Sequence, residues 1–195
     1  MSEPGTFAKP VAGWRAFDEE TILRRLETDP ANLEFDGDKF VEKNVDILTS
    51  RTGGWIGTRF NMHLISEDLL SDFYVLGSDC IYRCWPQRPG MFRKPDVSVI
   101  RAARVEGRPR VVTVPPDLAV EVLSPNDVAD DVTRKIELYR EAGFGPVWVV
   151  NLPNRSIDVH APDGSVTRHR GDDTITAGDA LPGFEAKVSD LFPPA

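Results

Sequence analysis

The stretch PPDLAVEVLSPNDVADDVTRKIELYREAG, Pro115 to Gly143, decides how this chain folds. Its proline pair suits a chain approaching a sheet edge or a turn rather than a helix. Leu118-Ala119-Val120-Glu121-Val122-Leu123 follows, aliphatic and too short for a typical helix, and reads as a strand buried on both faces of a sheet. Glu121 interrupts that run. An isolated carboxylate in a dry strand costs several kcal/mol or takes up a proton, unless a cation or hydrogen-bond donors meet it. A partner for Glu121 is therefore expected from elsewhere in the fold.

Ser124-Pro125-Asn126-Asp127 is turn chemistry, and Ser124 or Asp127 is suited to cap the helix that follows. From Val128 the apolar residues Val132, Ile136 and Tyr139 recur at helical spacing, and Gly143 provides a stop. Lys135 lies three residues after Val132 and four before Tyr139, so it shares or borders the buried face. Two readings of it stand side by side. In one, its stem covers the core and its ammonium stays in water; in the other, it leans inward to the end of the strand that carries Glu121.

A second acid favours the inward reading. Lys94-Pro95-Asp96-Val97-Ser98-Val99-Ile100 is another short aliphatic segment, with Asp96 at its start. Asp96 and Glu121 are then expected on neighbouring strands. Two carboxylates and a lysine on one sheet edge form a site for a hard divalent cation that activates water. The lysine would orient or help deprotonate that water and offset charge on a phosphate.

The order Pro95-Asp96, Glu121 and then a lysine, on a β framework, resembles the PD-(D/E)XK nuclease superfamily. KPDVSVI, PPDLAVEVLSPND, the K-x3-Y-x2-AG pattern from Lys135 to Gly143, and VWVVN are similar to the Uma-type family, whose members are described as putative restriction endonucleases. PDGSV, GDALPGF and the terminal Val188-Ser189-Asp190-Leu191-Phe192 extend the likeness, which covers nearly all of the chain from about Leu33. One departure stands out: a lysine two residues after the second acid would fall at position 123, which is Leu123. The role is therefore carried onto Lys135.

The resemblance implies an α/β (α+β) fold with a restriction-endonuclease-like central mixed sheet flanked by helices, and a C-terminal antiparallel β extension. It implies an endonuclease acting on DNA with Mg2+ or Mn2+, with Asp96 and Glu121 as metal ligands and Asp96, Glu121 and Lys135 as catalytic residues. It also places an acid ahead of the core helix, for which Glu42 is a secondary candidate; a solvent-facing strand glutamate is the other reading of Glu42. Nucleases that cut both strands commonly present two sites, which makes a homodimer the expected assembly.

The remaining chain is expected to form one domain over residues 1–195, with 1–12 loose, a nuclease-like core over 33–160 and the β extension over 161–195. Asp18 to Leu26 reads as a short helix, and Asp36-Gly37 as the turn of a hairpin between Leu33 and Ile47. Gly53 to Leu70 reads as the next helix, with His63 on or beside its buried face. Asp72–Leu76, Ile81–Trp85, Val147–Val150, Ser156–His160 and Val166–Arg170 read as strands. Cys80 and Cys84 have no second Cys/His pair to complete a zinc site and read as reduced thiols.

Hydrophobic residues at 41% and charged residues at 28% are ordinary for a globular protein. No apolar run approaches a membrane span and no signal-peptide pattern opens the chain, so a cytoplasmic location is expected. The net charge of −8 is the wrong sign for indiscriminate coating of nucleic acid. Arg83, Arg88, Arg93, Lys94, Arg101, Arg104, Arg108 and Arg110 cluster around Asp96 and are the expected basic surface; a solvated loop and strand edge is the other reading of them. Two other readings compete with a nuclease. One is a catalytically inactive nuclease-fold module serving partner binding or self-assembly; the other makes the acids and Lys135 a purely structural charge cluster.

Overall fold

The fold was taken from a computed structural model, which describes residues 17–29, 32–43, 46–125 and 127–194. The expected loose segment 1–12 lies outside these residues. The elements run α1 (Glu19–Thr28), β1 (Leu33–Asp36), β2 (Phe40–Glu42), α2 (Ile47–Ser66), β3 (Phe73–Gly77), β4 (Met91–Phe92), β5 (Val97–Arg101), β6 (Leu118–Leu123) and α3 (Ala129–Glu141). Then follow β7 (Val147–Asn151), β8 (Ser156–His160), β9 (Val166–Arg170), β10 (Thr174–Thr176) and β11 (Glu185–Lys187). Short 3-10 turns separate some of them.

A mixed six-stranded sheet in the order β3-β5-β6-β7-β8-β9 forms the centre. Only β6 and β7 run parallel, joined by a crossover through α3. Both faces of β6 are covered, as its aliphatic run requires. Leu118, Val120 and Val122 pack with Ile56, Phe60 and Leu64 of α2 and with Phe184 and Leu191 near the C-terminus. Ala119, from the alternate face, packs with Leu138 and Tyr139 of α3 and with Phe144. Glu121 shares parity with Ala119 and so faces α3. A smaller sheet, β2-β1-β4, carries α1 through Leu23, Leu26, Leu33 and Phe35.

α2 starts earlier and ends earlier than the expected 53–70. Asp46 accepts from Thr49 N–H while Thr49 Oγ1 accepts from Asp46 N–H, a capping box that starts the helix six residues before Gly53. At the other end Asp68 adopts φ +56° and Leu69 N–H bonds the Leu64 carbonyl at 2.8 Å, closing the helix. His63 is packed, with Nε2 2.8 Å from the Pro182 carbonyl and its ring edge-on to Phe184.

Residues 81–85 do not form the expected strand. Tyr82 makes two isolated bridges, to Arg93 and Val112, and Pro86 then interrupts the ladder. Cys80 and Cys84 are free thiols, and burial pushes them up to about 11 and about 12. Within the stretch expected as a C-terminal extension, β9 pairs with β8 in the main sheet, while β10 and β11 form a separate antiparallel pair.

Candidate active site

Antiparallel pairing of β5 with β6 sets Val97 opposite Val120. One further step along that register brings Asp96 beside Glu121 at the end of the strands. Asp96 Oδ2 accepts from Val122 N–H at 2.8 Å, which pins it to the neighbouring strand. α3 then delivers Lys135 and Tyr139, four residues apart on one helix face. Lys135 Nζ stands 3.0 Å from Glu121 Oε2, and the Tyr139 hydroxyl donates to Glu121 Oε1 at 2.6 Å. Lys135 thus leans inward.

α3 is held without the cap expected from Ser124 or Asp127. Its N-cap residue is Val128, which makes no side-chain cap bond, and Asp127 instead accepts from Ser124 N–H at 2.7 Å. Asp130 and Asp131 in the first turn complement the helix dipole. The helix stops at Gly143, φ +77°, where Phe144 N–H reaches back to the Tyr139 carbonyl at 3.0 Å.

Two groups not assigned to the site from sequence complete the cluster. Glu34, buried on β1, lies 3.0 Å from Lys135 Nζ and accepts from Lys94 N–H at 2.8 Å. Lys43, just after β2, donates to Asp96 Oδ1 at 2.7 Å and to the Lys94 carbonyl at 2.6 Å, and stands 3.9 Å from Glu121 Oε2. Glu34 carries the same sequence signal as Glu121, a carboxylate inside a buried strand between Leu33 and Phe35. Lys43 has no comparable local signal. Glu42 is exposed at the mouth of the cleft, and the β1–β2 acid that reaches Lys135 is Glu34.

Burial and charge act against each other here. Burial would raise the Glu34 carboxyl, but Lys135, Arg93 and Lys43 outweigh it and hold it down to about 2. Burial raises Glu121; Lys135 and Lys43 only partly offset it, and Asp96 and Glu34 push it further up. Burial disfavours the Lys43 charge, yet Asp96, Glu121 and Glu34 raise its pKa above the ordinary lysine value. Burial and the two glutamates raise the Tyr139 phenol well above its usual range, so it is a donor.

The cluster lines a cleft of about 370 Å3 whose walls include Lys39, Arg88 and Arg134 as well as Asp36, Glu42 and Asp131. Among the described residues no three Asp, Glu, His or Cys side chains form a ready metal cage. A hard cation nevertheless fits the donor set: carboxylate and carbonyl oxygens of Asp96, Glu121 and Lys94 already surround the Lys43 ammonium.

The expected basic surface is largely spent inside the chain. Arg93 and Lys94 are buried and donate to the carbonyls of Phe35 and Leu26. Arg83 pairs with Glu19, Arg88 with Glu141, Arg101 and Arg104 with Asp117, and Arg110 with Glu20 and Glu27. Sequence clustering of arginines did not reveal these partners, which come from α1, α3 and the turn before β6. Among the described residues no helix is long and apolar enough to cross a membrane.

Comparison with known proteins follows the same lines. The Uma2 family model, described as "Putative restriction endonuclease", matches residues 19–189. The fold is similar to the crystal structure of a "putative nuclease belonging to DUF820" from Anabaena variabilis ATCC 29413, with a TM-score of 0.71 and 16% identity over 83% of this chain and 90% of that one. No curated protein matches.

Proposed function

Because the chain belongs to the Uma2 family, we propose that it is an endonuclease hydrolysing phosphodiester bonds of DNA with Mg2+ or Mn2+. The family and the nuclease-like fold support a nuclease; the metal, the substrate and the residue roles are this reading's own. The single observation that carries it is the meeting of Asp96, Glu121 and Lys135 in one cleft, with the Lys43 ammonium standing between the two acids.

Asp96 and Glu121 would hold the metal. A divalent ion there supplies Lewis-acid polarisation of a phosphate oxygen and a more acidic attacking water. Lys135 orients that water and offsets charge developing on the phosphate, a preorganised positive charge in a low-dielectric setting. Glu34 and Glu121 hold Lys135 from two sides, and Tyr139 fixes the rotamer of Glu121. Glu42 is given at most an outer role at the cleft mouth. The reading takes the chain to work in the cytoplasm as a homodimer, one site for each strand.

A nicking assay on supercoiled plasmid with Mg2+ or Mn2+ tests this. Asp96→Ala and Lys135→Ala are each expected to lower the rate by about 100-fold or more; activity equal to the parent would discard the assignment. The second reading, a catalytically inactive nuclease-fold module for partner binding or self-assembly, draws on the internal pairing of the site and of the arginines, together with the net charge of −8. Absence of Mn2+ binding in calorimetry would favour it.

A further inference from the structure

Lys43 is the member of the cluster to which the proposed reaction gives no part, yet it stands where that reaction needs a cation. Its ammonium faces three oxygens: the Lys94 carbonyl at 2.6 Å, Asp96 Oδ1 at 2.7 Å and Glu121 Oε2 at 3.9 Å. Its side chain is 8% exposed, so this is no surface lysine resting beside an acid. Carbonyl and carboxylate oxygens are the donors that hard divalent ions take. Two neighbouring carboxylates also resist joint ionisation unless a cation stands between them.

We infer that Lys43 is a tethered counter-ion of the Asp96–Glu121 site, which vacates the site when a divalent ion binds and so weakens the apparent metal affinity. The inference rests on the assignment of Asp96 and Glu121 as metal ligands. Its physical basis is competition: an ammonium at 2.7 Å from Asp96 and a divalent ion cannot share the same oxygen lone pairs and the same small volume. Whatever Lys43 contributes to the metal-free fold must be given up on metal binding.

Calorimetric titration of MnCl2 into the full chain tests this in the parent, Lys43→Gln and Asp96→Asn. Lys43→Gln keeps a polar side chain, one atom shorter, without the charge, and it is expected to bind Mn2+ about tenfold or more tightly than the parent. Asp96→Asn is expected to lose binding. Equal or weaker Mn2+ binding by Lys43→Gln, with binding lost in Asp96→Asn, overturns the role of Lys43 alone. No Mn2+ binding by any of the three overturns this inference and the metal assignment together. If Lys43→Gln does not fold, the parent decides through nitrogen-15 signals of its lysine ammoniums. MgCl2 should abolish the exchange protection of Lys43 while that of Lys94, bonded to the Leu26 carbonyl, persists. Protection of Lys43 that survives saturating MgCl2 overturns the inference.

Discussion

The Tyr139 hydroxyl donates to Glu121 at 2.6 Å from a ring stacked flat on Phe144, with centroids 4.4 Å apart. A rigid aromatic platform on α3 thereby sets the angle of a carboxylate on β6. Tyr139→Phe keeps the stack and removes the donor from a buried acceptor. It should cost about 1–2 kcal/mol of stability, read as a lower urea midpoint. Cleavage should fall roughly tenfold through the loosened Glu121. An unchanged midpoint would mean that Glu121 finds another donor.

Glu34 gives a pH dependence of definite sign. Its folded-state pKa of about 2 lies below the ordinary 4.5, so it contributes stability that is fully present above about 4.5 and lost as pH falls towards 2. The difference corresponds to roughly 3 kcal/mol. Glu34→Gln should be less stable than the parent at neutral pH, and the gap between the two should narrow markedly by pH 3 and close only as pH falls below about 2. A gap that stays constant between pH 6 and pH 3 would remove Glu34 as the source.

The two acids of the first hairpin should behave differently in cleavage. Glu34→Gln releases one of the two carboxylates that grip Lys135 and should lower the rate by about 10-fold to 100-fold. Glu42→Gln, at an exposed position, should change it by less than about threefold. Plasmid nicking by the two variants checks this, and a larger loss in Glu42→Gln would restore Glu42 as the third acid.

Gly145 links α3 to β7 across the start of β6. A Cβ there would fall 1.8 Å from the Asp117 carbonyl oxygen, and Gly145 N–H already bonds the Pro116 carbonyl at 3.0 Å. The clash is with backbone, so a rotamer change cannot relieve it. Gly145→Ala should destabilise by about 3 kcal/mol. A thermal melt matching the parent would show that the crossover can shift without loss.

Much of the architecture can be read locally. Alternation and aliphatic content mark β6 and β7, helical spacing marks α3, Gly143 marks its stop, and Asp36-Gly37 marks the hairpin, where Phe35 pairs with Phe40. Local reading misplaced the start of α2, because Gly53-Gly54 resembles a helix boundary while the capping box at Asp46 and Thr49 lies upstream. It also overread residues 81–85, whose β-like composition meets only single bridges.

The sequence by itself determined that a carboxylate would be buried in an aliphatic strand, that Asp96 would stand at the start of another, and that Lys135 would border the inner face of a helix. These follow from periods of two and 3.6 residues along short segments. Only the tertiary structure decided what meets those groups: Glu34 behind Lys135, Lys43 between the two acids, and acids of other elements against the arginines. Ion pairs between distant segments depend on how the chain closes in space. Charge and spacing along the chain do not encode that closure.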